Sequence, residues 1–274
     1  MSRVSKKPSL ESRWGMVYLE FGHLVRKDHA LVFERKNETT VLPVARLACL
    51  LLGPGTTVTA AAVAMLARHG VTACWTGKDA GHFYQNGLFG QSSRRLLVQV
   101  ERYGDVVLRR RTARRLLERR TGESLDGDWD IETLRGFEGR WMKKRFRALS
   151  EQYGIPWTGR QSGDWEKLDP VNRALSVANG CLYALCHCAV VAAGFSPAIG
   201  FLHSGDMRSF VFDVADLYKP EATLPVAFEI AATGLTDPAA IERKAHAAAR
   251  DRFRDRRLYE RIVPDLMEVL ECSP

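Results

Sequence analysis

Residues 170–194 limit what this chain can become more than any other segment. The stretch is long and almost wholly apolar. A helix formed there has no polar face to turn to solvent, so other elements must surround it. The sequence supplies such elements. Helical patterns recur at 210–218, 224–233, 238–253 and 258–270. Upstream, residues 131–153 are amphipathic, and Leu96, Val100, Tyr103 and Val107 repeat at helical spacing.

Residues 1–90 read differently. Residues 15–21, 30–34 and 39–44 are short β-rich runs bounded by polar turn residues. Residues 47–52 form a buried-looking run, ended by the turn signal Gly53-Pro54-Gly55. Residues 59–69 predict one short helix closed by Gly70, followed by strands at 71–75 and 82–84. The expected fold class is α+β. A small N-terminal β domain (1–90, sandwich-like, with one helix) is joined by a hinge near residue 90 to a larger all-α C-terminal domain (91–274).

Several classes are excluded or disfavoured. Apolar residues are 46% and charged residues 26% of the 274, an ordinary globular balance. No uninterrupted apolar run reaches the ~18 residues of a membrane span, and a basic amphipathic membrane anchor is lacking. Residues 1–12 are polar and do not resemble a secretory signal, so the expected address is the cytoplasm. Six cysteines occur without a Cys-x-x-Cys pair. Cys181, Cys186, Cys188 and His187 are clustered, but their spacing is not that of a structural zinc site, and they sit in an apolar stretch where cysteine is a common core residue.

The formal net charge is +8. Ten arginines lie between positions 94 and 120, and a second basic cluster runs from Arg135 to Arg147. Part of this is a solvated helix face. Concentrated in two segments, it favours a surface that follows phosphates.

Against this background four residues have the chemistry of a hard-cation site, for which magnesium wants oxygen ligands and manganese also accepts imidazole. Glu138 sits among cations. His203 follows an apolar run that would hold it at the edge of the core. Asp213 and Asp216, three apart, share one side of a helix amid Phe210, Val211, Phe212, Val214 and Leu217. Burying such charge costs free energy unless a cation or hydrogen bonds compensate. Each residue taken alone has a structural alternative: Glu138 paired with Arg135 or Arg140, His203 as a satisfied structural histidine, either aspartate as a helix cap. No spacing rule links 138, 203 and 216.

Four ordered motifs decide further. Leu134-Arg-Gly-Phe-Glu-Gly139, Asp169-Pro-Val-Asn-Arg-Ala-Leu-Ser176, Pro197-Ala-Ile-Gly-Phe-Leu-His203 and Ser209-Phe-Val-Phe-Asp-Val-Ala-Asp216 together resemble the CRISPR-associated integrase family, the first and most widespread Cas protein. Trp165-Glu166-Lys167 and residues 192–197 are most similar to its subtype I-E branch. The resemblance covers nearly the whole chain. It implies that Glu138, His203 and Asp216 ligate a manganese or magnesium ion, that Asp213 supports them, and that Asn172 and Tyr183 border the site. It also implies a homodimer, a small second Cas protein as partner, and double-stranded and forked DNA as substrate. The implied activity is insertion of spacer DNA by attack of a 3′-hydroxyl on a phosphodiester. A stand-alone repair nuclease and a non-enzymatic DNA scaffold are the rival readings. Candidate DNA contacts are Arg140, Tyr183, Lys219, Arg243 and Lys244, with Arg13, Lys36 and His82 in the β domain. Phe21 is a candidate for stacking on a DNA end, though a strand aromatic is more often core.

Overall fold

The computed structural model describes residues 14–87, 92–161 and 165–271. Eight strands precede seven of the eight helices: β1 (Trp14–Leu19), β2 (Gly22–Lys27), β3 (Ala30–Arg35), β4 (Glu38–Leu42), β5 (Leu47–Leu52), β6 (Thr56–Val58), β7 (Thr72–Thr76) and β8 (Phe83–Gly87), with helix α1 (Ala60–His69) set between β6 and β7. The helices are α2 (Arg94–Gly104), α3 (Val106–Thr121), α4 (Ile131–Tyr153), α5 (Pro170–Ala192), α6 (Ser209–Ala232), α7 (Pro238–Asp255) and α8 (Leu258–Val269). The strand-rich and helix-rich halves match the expected α+β class. The hinge expected near residue 90 falls at 88–91, outside the described residues.

β5 is buried at every position, which places it inside a sheet covered on both faces. It pairs in parallel with β1 and β7, and β8 closes the order β1-β5-β7-β8 antiparallel to β7. Its alternating side chains serve two cores. Leu50 and Leu52 join Leu24, Phe33 and Leu66 between this sheet and the second one, β4-β3-β2-β6. Cys49 and Leu51 face the other way, into the same cluster as the helical core. β2 and β6 were not legible in sequence. β2 (Gly-His-Leu-Val-Arg-Lys) has only two consecutive apolar residues between polar ends, and β6 is three residues long.

α1 begins at Thr59, whose side chain accepts from the N–H of Ala62, and ends at Gly70 in the left-handed region, as the sequence predicts. On the helical side α5 is the centre, started by Asp169 as N-cap and Pro170 at the first turn. It is long and apolar enough to cross a membrane by composition, yet it is packed inside the protein against α6, α7, α8 and β5, β7 and β8. α8 closes on β1 at Gly15, where a Cβ would stand 1.7 Å from the Tyr259 carbonyl oxygen. The two halves thus share one continuous core.

Three expectations need correction. First, the stripe on α2 and α3 faces outward. Val100, Tyr103 and Val107 are exposed, and Gln99 and Arg102 are buried instead. The Gln99 amide explains this orientation. It donates to the carbonyls of Ser196 and Ile199 at 3.0 and 2.8 Å and accepts from the N–H of Ser196 at 2.7 Å, so satisfying the loop below the helix outweighs burying the apolar stripe. Second, the segments at 210–218 and 224–233 are one helix, α6, running through the buried Pro220 and Pro225. Proline costs a helix ~3 kcal/mol in isolation. Here the burial of α6 against α5 overrides it. Third, much of the arginine cluster is consumed internally. Arg102, Arg111 and Arg115 converge on Glu271; Arg119 pairs with Asp265 and Glu268; Arg110 pairs with Asp128. These acids are brought to α3 by tertiary packing, which no local charge count reveals.

Candidate metal centre

Three packed helices and one loop build the site. α6 carries Asp213 and Asp216, α4 carries Glu138, α3 carries Arg120, and the loop between α5 and α6 carries His203. The loop is shaped around Asp213, whose carboxylate accepts the backbone N–H groups of Phe201 (2.5 Å), Leu202 (3.2 Å) and His203 (2.9 Å). Gly200 permits this fold, because a Cβ there would lie 2.6 Å from the His203 carbonyl oxygen. Asp213 also accepts from His203 Nδ1 at 2.8 Å. With its proton placed on Nδ1 by a carboxylate, the imidazole turns Nε2 toward Asp216, 4.0 Å from Oδ2. This carboxylate–histidine arrangement is the one that orients metal-ligating histidines.

Glu138 reaches the same point from α4. Arg120 Nη1 forms a close ion pair with Glu138 Oε1 and lies 3.7 Å from Asp216 Oδ2. Lys219, one turn along α6, brings Nζ to 2.5 Å from Asp216 Oδ1. Beyond this ammonium, Asp216 Oδ1 is a buried oxygen with no other donor in reach.

The charges shift one another. Burial, and then the neighbouring Asp216, push the Glu138 carboxyl up against the pull of Arg120. Burial also acts to raise Asp216, but Lys219 and Arg120 outweigh it and hold its carboxyl below the usual range. His203 is raised by its hydrogen bond to Asp213, against burial. Burial works to discharge Lys219, and the Asp216 carboxylate more than offsets it.

The donor set fits a hard divalent cation: a half-buried and a buried carboxylate from separate helices, and an imidazole nitrogen fixed toward them. Among the described residues no three His, Cys, Asp or Glu side chains stand as a ready-made cation cage.

The other expected site residues divide. Tyr183 borders the centre, with Lys219 Nζ 4.9 Å from its ring centroid and Phe212 packed edge-on at 5.1 Å. Asn172 is fully buried and holds the 159–161 segment through Arg160 Nη1 (2.9 Å) and the N–H of Gln161 (3.0 Å). Arg140 is exposed and reaches back toward Gly136. Two residues beyond Glu138, it points to a different side of α4. Arg243 lines a cleft of about 460 Å³ between the Lys78–Ala80 turn and α7, and Lys244 is exposed beside it. Lys36 sits at the exposed β3–β4 turn and His82 in the loop before β8. Arg13 lies outside the described residues. Phe21 is 61% exposed with a φ of 53°, so it is not the core aromatic its strand context suggests. Cys188 of α5 lies in the shared core with Cys49 of β5, while Cys181 meets His246 Nδ1 at 3.1 Å. Sequence reasoning missed Arg120, which was indistinguishable from its basic neighbours.

The family profile described as CRISPR associated protein Cas1 matches residues 120–252, the span that contains Arg120, Glu138, His203, Asp213, Asp216 and Lys219. The chain is 39% identical over 272 residues to the CRISPR-associated endonuclease Cas1 1 of Rhodospirillum rubrum, covering 97% of this chain and 87% of that protein. It is 37% identical over 268 residues to the CRISPR-associated endonuclease Cas1 of Escherichia coli K12, covering 96% and 87%. The fold superposes on the crystal structure of a TtCas1–DNA complex with a TM-score of 0.86 and 37% identity, over 95% of this chain and 98% of that one. With the motifs, the fold and near-full-length identity in agreement, the chain belongs to the Cas1 family of CRISPR-associated proteins.

Proposed function

We propose that this protein is the integrase of CRISPR adaptation, a divalent-cation-dependent enzyme that joins captured DNA to a repeat. The observation that carries this reading is the meeting of Glu138, His203 and Asp216 from three separate segments, with Asp213 aiming the imidazole. The similarity to proteins named Cas1 endonucleases supports the chemistry, and the TtCas1–DNA complex supports DNA as the partner.

In the proposed reaction the 3′-hydroxyl of the incoming fragment forms a new bond to the scissile phosphorus. The bond to the 3′-oxygen of the repeat strand breaks, and that oxygen leaves with a proton. Glu138, His203 and Asp216 would hold manganese or magnesium, which supplies polarisation of the phosphate and stabilisation of charge on the attacking or leaving oxygen. Asp213 keeps the imidazole proton on Nδ1. Lys219 retains its positive charge beside Asp216 and is placed to meet a phosphate oxygen, and Tyr183 forms the adjoining wall. Arg140, Arg243 and Lys244 would follow the backbone with little base preference. The β half, with Arg13, Lys36 and His82, is assigned to dimerisation and duplex contact. In this reading the protein is a cytoplasmic homodimer that works with a small second Cas protein and without a membrane.

The test is transfer of a labelled DNA fragment into a supercoiled plasmid bearing a repeat, with manganese or magnesium. The wild type yields joined strands. Glu138→Gln and His203→Ala lose joining by at least ~100-fold. Full joining by either variant rejects the ligand assignment, and shortened strands without joined ones would indicate a repair nuclease instead.

A further inference from the structure

We propose that Arg120, paired with Glu138 and facing Asp216, is a built-in counter-cation that competes with a divalent cation for these carboxylates. The inference rests on the metal-binding reading above. Two carboxylates facing each other repel, and without compensation one of them takes up a proton. Arg120 offsets part of that repulsion. Its Nη1 contacts Glu138 Oε1 and lies 3.7 Å from Asp216 Oδ2, so one nitrogen serves carboxylates from two helices.

Lys219 is a different kind of partner. It rises from the same helix as Asp216, touches that carboxylate, and rests over the Tyr183 ring. No ion pair joins it to Glu138 among the described residues. A cation drawing on Glu138 Oε1 and Asp216 Oδ2 therefore meets oxygens that already face the guanidinium. N–H donors and a metal ion compete for the same lone pairs, so the two cannot be held at full strength together.

Arg120 is also poorly placed for a surface task. Its side chain is 3% exposed, too enclosed to clamp a passing DNA backbone. The guanidinium has the Trp141 ring 5.7 Å away, and its Nε has no hydrogen-bond partner. The head group is held by the two carboxylates and an aromatic face. The arrangement keeps the ligands positioned before metal arrives and weakens metal binding by competition. Arg120 is thus a positioning residue that sets the metal affinity of the site.

The experiment is calorimetric titration of manganese chloride into metal-stripped, DNA-free protein, with thermal melts alongside. Arg120→Met removes the competing charge. Its dissociation constant for manganese should fall roughly tenfold, equivalent to about 1.4 kcal/mol. Its metal-free Tm should drop, and manganese should raise that Tm more than it does in the wild type. Arg120→Lys, too short to reach both carboxylates, should also bind manganese more tightly than the wild type, and it decides the matter if Arg120→Met does not fold. Unchanged or weaker manganese binding in the folded variant overturns the proposal, because an arginine of purely structural value moves Tm and leaves the metal affinity alone. Failure of the underlying reading is distinct: the wild type then takes up no manganese, or Glu138→Gln binds it as tightly as the wild type, and both ideas fall.

Discussion

Asp213 takes the backbone N–H and the ring Nδ1 of His203 on the same oxygen, Oδ1, at 2.9 and 2.8 Å. One carboxylate thus sets both where the histidine backbone runs and which ring nitrogen is left facing Asp216. Asp213 itself lies in the core, 1% exposed, where its carboxylate meets His203 and the loop backbone.

From this, Asp213→Asn should be far from silent. The amide can present only one carbonyl oxygen to donors that now occupy two, and its NH2 group faces backbone N–H groups. Strand transfer and manganese affinity should each fall by roughly 10- to 100-fold, the usual cost of losing a group that orients a metal ligand. Circular dichroism would confirm a folded variant, and values within twofold of the wild type would remove the orienting role.

DNA binding should depend on α4 more than on α3. Lys143, Lys144 and Arg147 are exposed and lie in no ion pair among the described residues, whereas Arg111 and Arg115 are engaged by Glu271. Replacing Lys143 or Lys144 by Ala should lower affinity and flatten the salt dependence by about 0.9 per lost phosphate contact. Replacing Arg111 should alter that slope less. Fluorescence anisotropy across a salt series separates the two cases, and equal slopes for all variants would show that neither helix carries the backbone.

Acid should weaken the contact between the two halves through His187. The ring stacks on Phe83 of β8 with centroids 3.8 Å apart, and burial, helped by Arg208, lowers its pKa from 6.5 to about 4. The folded protein therefore keeps His187 neutral where the unfolded chain binds a proton. The stabilising contribution is complete above about pH 6.5 and is lost as pH falls toward 4. A His187→Phe variant keeps the stack and cannot titrate, so its Tm should gain on that of the wild type as pH drops through this window. Parallel Tm curves would contradict the assignment.

The C-terminal ion pairs should differ in worth. Asp265 is 7% exposed and accepts from Arg119 at 2.5 Å and Tyr218 at 2.7 Å. Asp265→Ala leaves the buried Tyr218 hydroxyl without its acceptor and Arg119 with Glu268 alone, and should cost roughly 2–3 kcal/mol in urea unfolding. Glu271 holds three arginines but is more open to water, so Glu271→Ala should cost about 1 kcal/mol or less. The reverse order would mean that the network, and not burial, dominates.

Local order was legible because it is written at short range. Thr59 and Gly70 bound α1, the unbroken apolar run makes α5 the core helix, and a spacing of three sets Asp213 and Asp216 on one side of α6. The four motifs also carried the family likeness, and with it the three side chains expected to share a cation. Only the tertiary structure decided how distant charges pair. Arg120 and Arg119 are neighbours in sequence, yet one is buried against Glu138 and Asp216 while the other meets Asp265 and Glu268. The outward stripe of α2 and the unbroken run of α6 through two prolines were decided in the same way. Helical periodicity fixes which residues share a face, but the packing of one helix on another determines what that face meets, and Coulomb energies depend on the resulting distances and burial.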